Sequence, residues 1–277
     1  MNELVFRGII WCIAVLVFFA LGAVFFDVFR LGLQGLNLNF LTQPPENSGR
    51  SGGIWPILVS TFSILLIALA FTIPLGLACS VWLSEFVEKK HPLARLSHVG
   101  LDALSGVPSI VFGLFGNAFF SQYLGLGFSL FAGGLTLACM ALPLFIKTTV
   151  LGLLTLDSDW RRQSASLGIR KTTLIWNVLL PAATPAIIAG MILAIGRAIS
   201  EVAALIFTSG YVDRMPESLF DSGRSLSVHI YDLTMNVTGG DKAAYSSALT
   251  LTILIVMINI AVLWVSQRWQ KGGAFKP

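Results

Sequence analysis

Charged side chains are scarce in this chain, 12% of 277 residues where soluble domains carry about 25%. Hydrophobic residues make up 55%, a balance that a water-exposed surface could not hold, so the composition excludes a soluble globular domain and points to an integral membrane protein. Cysteine and histidine are equally sparse, with three of each. Cys12, Cys79 and Cys139 all fall within apolar runs and lack metal-ligand spacing, so they read as small packing residues. His91, His98 and His229 fall in or beside loops, which leaves no base at membrane depth for an intramembrane hydrolase. His229 and Asp232 have no third ligand nearby and read as surface or packing residues, not a metal site. The phosphate-loop pattern Gly-x-x-x-x-Gly-Lys-Ser/Thr is absent, so the chain cannot itself supply a nucleotide site.

Long apolar runs are abundant. Six segments are long enough to cross a bilayer, roughly 6–29, 54–86, 99–124, 128–153, 180–207 and 245–265, against the ~20 residues a spanning helix needs. The first run is longer than a signal-peptide core and continues past Ala20-Leu21-Gly22, so an uncleaved anchor is expected. With six spans, one side of the membrane carries Arg7, Lys89, Lys90, Arg95, Arg161, Arg162, Arg170, Lys171, Arg268, Lys271 and Lys276. The other carries Arg30, Arg50, Arg214, Arg224 and Lys242. The positive-inside bias places both termini in the cytoplasm. The net charge of +4 is then topology, with no basic soluble face for nucleic acid.

The connections differ in kind. Residues 32–53 are rich in Gly, Asn, Pro and Ser and read as an outside loop with a short interfacial piece near 36–41. Residues 209–242 form a second outside segment with an amphipathic stretch at 226–235. Inside, 85–98 is a short charged loop. Residues 154–177 instead predict a pair of short helices: Asp157 or Ser158 caps the first, Ala165, Leu167 and Ile169 supply apolar contacts, and Gly168 makes a tight turn. Trp176 then stands at the interface and Pro181 opens the fifth span. This segment reads as a docking element for another protein, against the alternative of a basic loop that only sets topology.

Two ionisable residues lie within the fifth span. Arg197 and Glu201 are four apart, which predicts one helical face. A mid-span charge costs about 2.5–3.5 kcal/mol on insertion scales, so such residues usually mark a pathway or a partner. The Arg197 guanidinium can hold a tetrahedral oxyanion through two hydrogen bonds. Glu201 is expected to hold it when the pathway is empty, and the alternative is a pair that only fixes packing. Lys147 is a weaker candidate that can snorkel to the cytoplasmic surface. In the third span Gly106, Pro108, Gly113 and Gly116 predict close helix approach and a local backbone break, with Ser109 beside the pathway. Pro74 and Gly76 suggest the same for the second, with ordinary packing as the alternative, since Gly and Pro are common in membrane helices.

The segment around Gly168 resembles the cytoplasmic signature of bacterial ABC-importer permeases, Glu-Ala-Ala, three residues, Gly, nine residues, then Ile-x-Leu-Pro. Gly168, Val178, Leu180 and Pro181 stand at matching positions, and Arg162, Gln163 and Ser164 replace Glu-Ala-Ala. Gly106-Val107-Pro108-Ser109-Ile110-Val111-Phe112-Gly113-Leu114-Phe115, with Ile73-Pro74-Leu75-Gly76 and Leu83-Ser84-Glu85, resembles the third and second spans of the phosphate-importer permeases. Ala194 to Ala203 resembles their fifth-span motif, Ala-Arg-x-x-Gly-Glu-Thr-Ala-Pro, with Ser200, Val202 and Ala204 at the Gly, Thr and Pro positions.

The order of these pieces is similar to the A-type permease subunits of phosphate-specific ABC importers, of the binding-protein-dependent transport family. That resemblance implies an all-α fold of the type I importer permease kind: an anchor and periplasmic loop over 1–53, a permease domain over 54–268 and a cytoplasmic tail over 269–277. It implies a bacterial inner-membrane permease subunit, not an enzyme. ATP and Mg would be bound by a partner ATPase dimer docked at Arg162, Gln163, Ser164, Ala165, Gly168 and Pro181. A C-type permease subunit, a periplasmic phosphate-binding protein and membrane lipid would be the other partners, with a homodimer as the alternative assembly. Sulfate, molybdate or phosphonate is the alternative cargo. A secondary transporter is the rival class, but it would usually show internal repeats or several intramembrane carboxylates, and Glu201 is the clear one here.

Overall fold

The computed structural model describes residues 3–88 and 91–272. Lys89, Lys90 and Lys276 of the topology argument, and the tail beyond residue 272, lie outside the described residues. Apolar sequence without internal charge becomes helix almost throughout, because a chain in hydrocarbon must satisfy its own backbone polar groups. Among the described residues, five helical stretches are long and apolar enough to cross a membrane: Val5–Gly32, Trp55–Phe86, Leu130–Thr155, Lys171–Ser200 and Asp241–Arg268. A sixth is a pair of helices, Pro92–Gly106 and Ser109–Tyr123, bent by 101°.

The chain forms two compact units. The smaller comprises Met1–Trp55 and His229–Ile253. Here α1 (Glu3–Gly32) is exposed along nearly its whole length, as an apolar helix covered by lipid would be. Its last residue, Gly32, packs against Tyr245 and Leu249 of α12 (Asp241–Gly272). The Ser246 hydroxyl donates to the Gly32 carbonyl at 3.1 Å. The expected interfacial piece is a five-residue helix, α2 (Leu38–Thr42), whose Asn37 side chain accepts from the Phe40 amide at 2.8 Å. A two-residue hairpin follows, β1 (Pro45–Glu46) antiparallel to β2 (Ser51–Gly52).

The larger unit, Pro56–Val228 with Leu254–Pro277, is organised on α6 (Leu130–Thr155). This helix has Leu137, Phe145 and Leu153 fully buried, and small residues let its neighbours approach. Gly190 of α9 (Leu180–Ser200) sits against Phe145 and Thr148. Gly76 of α3 (Trp55–Val81) lies under the Phe145 ring from another side, and the Ser80 hydroxyl donates to the Gly76 and Ile146 carbonyls at 2.7 and 3.3 Å.

Three boundaries differ from the sequence expectation. The third span is not one straight helix: α4 (Pro92–Gly106) and α5 (Ser109–Gly116) meet at Val107 and Pro108, both extended. A residue before proline is driven out of the α region, and Pro108 has no N–H to carry the ladder on. The expected backbone break is thus there, but α4 begins inside the segment read as a charged loop. The second short helix of the 154–177 segment is not separate, because α8 (Lys171–Leu174) continues through a π-helical turn at Ile175–Leu179 into α9. The fifth span stops at Ser200 and restarts as α10 (Ala203–Thr208), so it does not run unbroken to Phe207.

Candidate functional site

The residues proposed for docking lie on α7 (Ser158–Ser166) and the turn after it. The Asp157 carboxylate accepts from the Asp159 amide at 2.9 Å and starts the helix. Gly168 ends it with φ of +65°, a left-handed conformation that glycine adopts without the Cβ penalty, and the Ile169 amide returns to the Ser164 carbonyl at 2.9 Å. Arg162, Gln163, Ala165 and Gly168 are exposed, as is Pro181 in the first turn of α9, whereas Ser164 is buried. Leu167, Ile169 and Trp176 are also exposed. The segment therefore presents apolar and basic groups outward while Trp160, Leu174, Ile175 and Leu179 pack with Leu153 beneath it. Arg162 pairs with Asp159 at 3.5 Å, an exposed contact of small energy.

Arg161 behaves differently from its neighbour. Its guanidinium binds Glu85 with both Nη2 (2.7 Å) and Nε (3.2 Å to each carboxylate oxygen), and also donates to the Leu153 and Leu156 carbonyls at 2.9 and 3.3 Å. The Glu85 side chain is only 4% exposed. Lys171 Nζ donates to the Glu85 carbonyl and lies 4.5 Å from the centre of the Phe86 ring. In the sequence Arg161 and Lys171 read as topology signals and as members of the basic docking segment, with no partner assigned to either. The one available hint was an acid, Glu85, closing the second span on the side that carries most of the basic residues.

The intramembrane residues lie where helices break. Arg197 is half-buried in the last turn of α9, where a cation suits the negative end of the helix dipole. The expected Arg197 to Glu201 pair is not formed. Glu201 has left the helix, with ψ of 130°, and its carboxylate points on to the Ala204 amide at 3.4 Å, at the start of α10. The i,i+4 rule needs helix at both positions, and here it ends between them. The Glu201 carbonyl accepts from the Ser227 hydroxyl at 2.6 Å, so the break is held by the segment that leads into α11 (Leu226–Met235). Nearby, the Leu226 amide donates to Thr61 Oγ1 of α3 at 2.8 Å.

Ser109 is the first residue of α5 and is half-buried. Among the described residues no hydrogen bond or ion pair joins Ser109, Arg197 and Glu201. What α5 and α10 share is close packing. A Cβ on Gly113 would stand 2.9 Å from the Ala204 Cα, and Asn117 Nδ2 donates to the Phe207 carbonyl at 2.7 Å. Lys147, the weaker candidate, has an acidic partner. It meets Asp102 of α4 at 2.6 Å, a second acid within the sixth candidate span that sequence reasoning passed over. His229 is fully buried in α11, a packing position, and among the described residues no cluster could hold a metal ion.

The chain is similar to known proteins in both sequence and fold. Residues 72–271 match the family described as binding-protein-dependent transport system inner membrane component. The chain is 32% identical over 255 residues to the phosphate transport system permease protein PstA of Mycobacterium leprae, covering 91% of this chain and 80% of that protein. It is 29% identical over 249 residues to the probable ABC transporter permease protein YqgI of Bacillus subtilis, covering 84% of each. It is 33% identical to a PstA homolog of Mycoplasma pneumoniae, of which it spans 39%.

Among solved structures, the fold is similar to a bacterial ABC transporter involved in import of the acidic polysaccharide alginate (TM-score 0.62, 11% identity, 96% of this chain and 99% of that one). It is also similar to the inward-facing MetNI methionine ABC transporter (TM-score 0.56, 17% identity, 80% and 95%). The fold is that of the type I importer permeases, and the chain belongs to the family of binding-protein-dependent transport system inner membrane components.

Proposed function

We propose that this protein is the transmembrane permease subunit of an ATP-driven phosphate importer and forms half of the translocation pathway. The observation that carries the reading is the α7 segment. Its left-handed Gly168, with Val178, Leu180 and Pro181 after it, stands at the positions of the ABC-permease signature although Arg162, Gln163 and Ser164 replace the Glu-Ala-Ala, and the chain is about one-third identical to proteins named as phosphate permeases. Two ATPase subunits dock on this segment and bind the ATP and Mg. A periplasmic binding protein selects the anion, a C-type permease supplies the other half, and both termini lie in the cytoplasm of a bacterial inner membrane.

Arg197 receives the anion through paired hydrogen bonds. Ser109 and Glu201 stand at the two backbone breaks that border the pathway. With Glu201 turned away to α10, the Arg197 guanidinium has no carboxylate partner among the described residues and is open to an anionic one. The test is ATP hydrolysis and uptake by the complex reconstituted in lipid vesicles, with the binding protein loaded in turn with phosphate, sulfate or molybdate. Stimulation and uptake with phosphate alone is the expected result. Stimulation by another anion moves the cargo and keeps the architecture, and absence of coupling with all three rejects the reading.

A further inference from the structure

The Glu85 to Arg161 ion pair joins several helix ends in the larger unit. Glu85 lies in the π-helical turn Trp82–Phe86 at the foot of α3, and Arg161 is in the first half of α7, 76 residues away in sequence. The Arg161 guanidinium simultaneously caps two carbonyls at the foot of α6, Leu153 and Leu156, so one side chain ties three helix ends together. Lys171 adds a fourth, reaching from the start of the α8–α9 helix to the Glu85 carbonyl.

Above this point α3 is locked to α6. Leu83 packs with Ile146 and Val150, and Ser80 bonds the Ile146 carbonyl. Higher still, Pro74 interrupts the α3 backbone ladder and offers a place to bend. α7 also meets the following helix through the glycine turn at 168 and through Trp160, which packs on the cluster containing Leu174 and Ile175.

We infer that Glu85 and Arg161 are positioning residues that form the mechanical joint carrying movement of α7 into the foot of α3, and so set how much transport each hydrolysed ATP yields. The inference rests on the proposed docking of an ATPase at α7. A docked ATPase would push α7, the bidentate pair would pass the displacement to α3 and α6 as one body, and α3 would flex at Pro74. A bidentate, charge-assisted pair, its carboxylate buried and its guanidinium partly so, suits this role because two parallel hydrogen bonds fix its geometry.

The experiment uses the complete importer in vesicles and reads phosphate taken up per ATP hydrolysed, with ATPase co-purification measured alongside. E85Q keeps shape and removes charge. The double variant E85Q/R161Q removes both charges, so that no lone ion is left buried. Both should retain the ATPase at wild-type level while uptake per ATP falls about tenfold, and R161K, which keeps the charge but loses the fork, should fall less. An unchanged ratio in the assembled double variant overturns the inference. So does loss of the ATPase or of the folded permease in both glutamine variants, since the pair would then serve assembly alone. A wild-type complex that recovers no ATPase, or shows no coupled uptake, rejects the proposed function instead. If it couples another anion, the same ratio is read with that anion.

Discussion

Two arginine–glutamate juxtapositions stand at different places in the larger unit, and they behave in opposite ways. Arg197 and Glu201 are four residues apart and do not pair. Arg161 and Glu85 are 76 residues apart and form a partly buried bidentate bridge. The difference is made by backbone geometry. In the first case the helix ends between the two residues, and the Glu201 carbonyl and carboxylate are taken by Ser227 and by the Ala204 amide. In the second, two helix ends converge on the foot of α6, whose carbonyls and the carboxylate together satisfy the guanidinium. Sequence separation predicts pairing only while regular structure persists from one residue to the other.

The largest effect is expected at the unpaired arginine. Arg197→Ala should lower phosphate uptake by roughly 100-fold, the scale of losing charge-assisted hydrogen bonds to an anion, while ATPase recovery stays intact. Normal uptake by this variant would make the residue a packing element and break the comparison from that side.

Gly168→Pro comes next. Proline cannot adopt φ of +65°, so the turn after α7 should fail and ATPase recovery should fall about tenfold or more in co-purification. Recovery at wild-type level would mean that docking does not use the α7 turn.

Gly113→Val probes the packing that holds the broken span. Its Cβ meets backbone at Ala204, which cannot move aside as a side chain can, and overpacking of this kind costs about 1–3 kcal/mol. The expected readout is a thermal midpoint in detergent lower by several degrees. An unchanged midpoint would show that α5 and α10 adjust freely.

The smallest effect belongs to Glu201→Gln, which keeps an acceptor for the Ala204 amide and should leave uptake within about threefold of wild type. A loss as deep as that of Arg197→Ala would show that the pair forms in another state of the transport cycle, and would sharpen the contrast between the two sites into one between two conformations.

Much of the architecture was legible in the sequence for simple reasons. Uninterrupted apolar runs must be helical in a membrane, Asp157 and Gly168 carry their own capping chemistry, and the Leu226–Met235 stretch falls where amphipathic spacing placed it. The weakness at Val107-Pro108 was legible too, although the 101° bend was not, because proline removes a hydrogen bond without dictating where the next helix points. The break at Glu201 had no such local signal. Ala198, Ile199, Ser200, Val202 and Ala203 are compatible with continued helix, and the interruption is supported by Ser227 and by the close fit of α10 against Gly113, both distant in sequence.

The amino-acid order by itself therefore determined the membrane class, the rough positions of the apolar spans, the cap of α7 and the glycine turn, since each depends on hydropathy or on conformational preferences within a few residues. Which charges meet was decided only by the tertiary structure. An ion pair needs two side chains brought within a few ångströms in a shared environment, and that proximity is set by where helices end and pack: Glu85 beneath α6, Asp102 beside Lys147, and Glu201 turned away from Arg197.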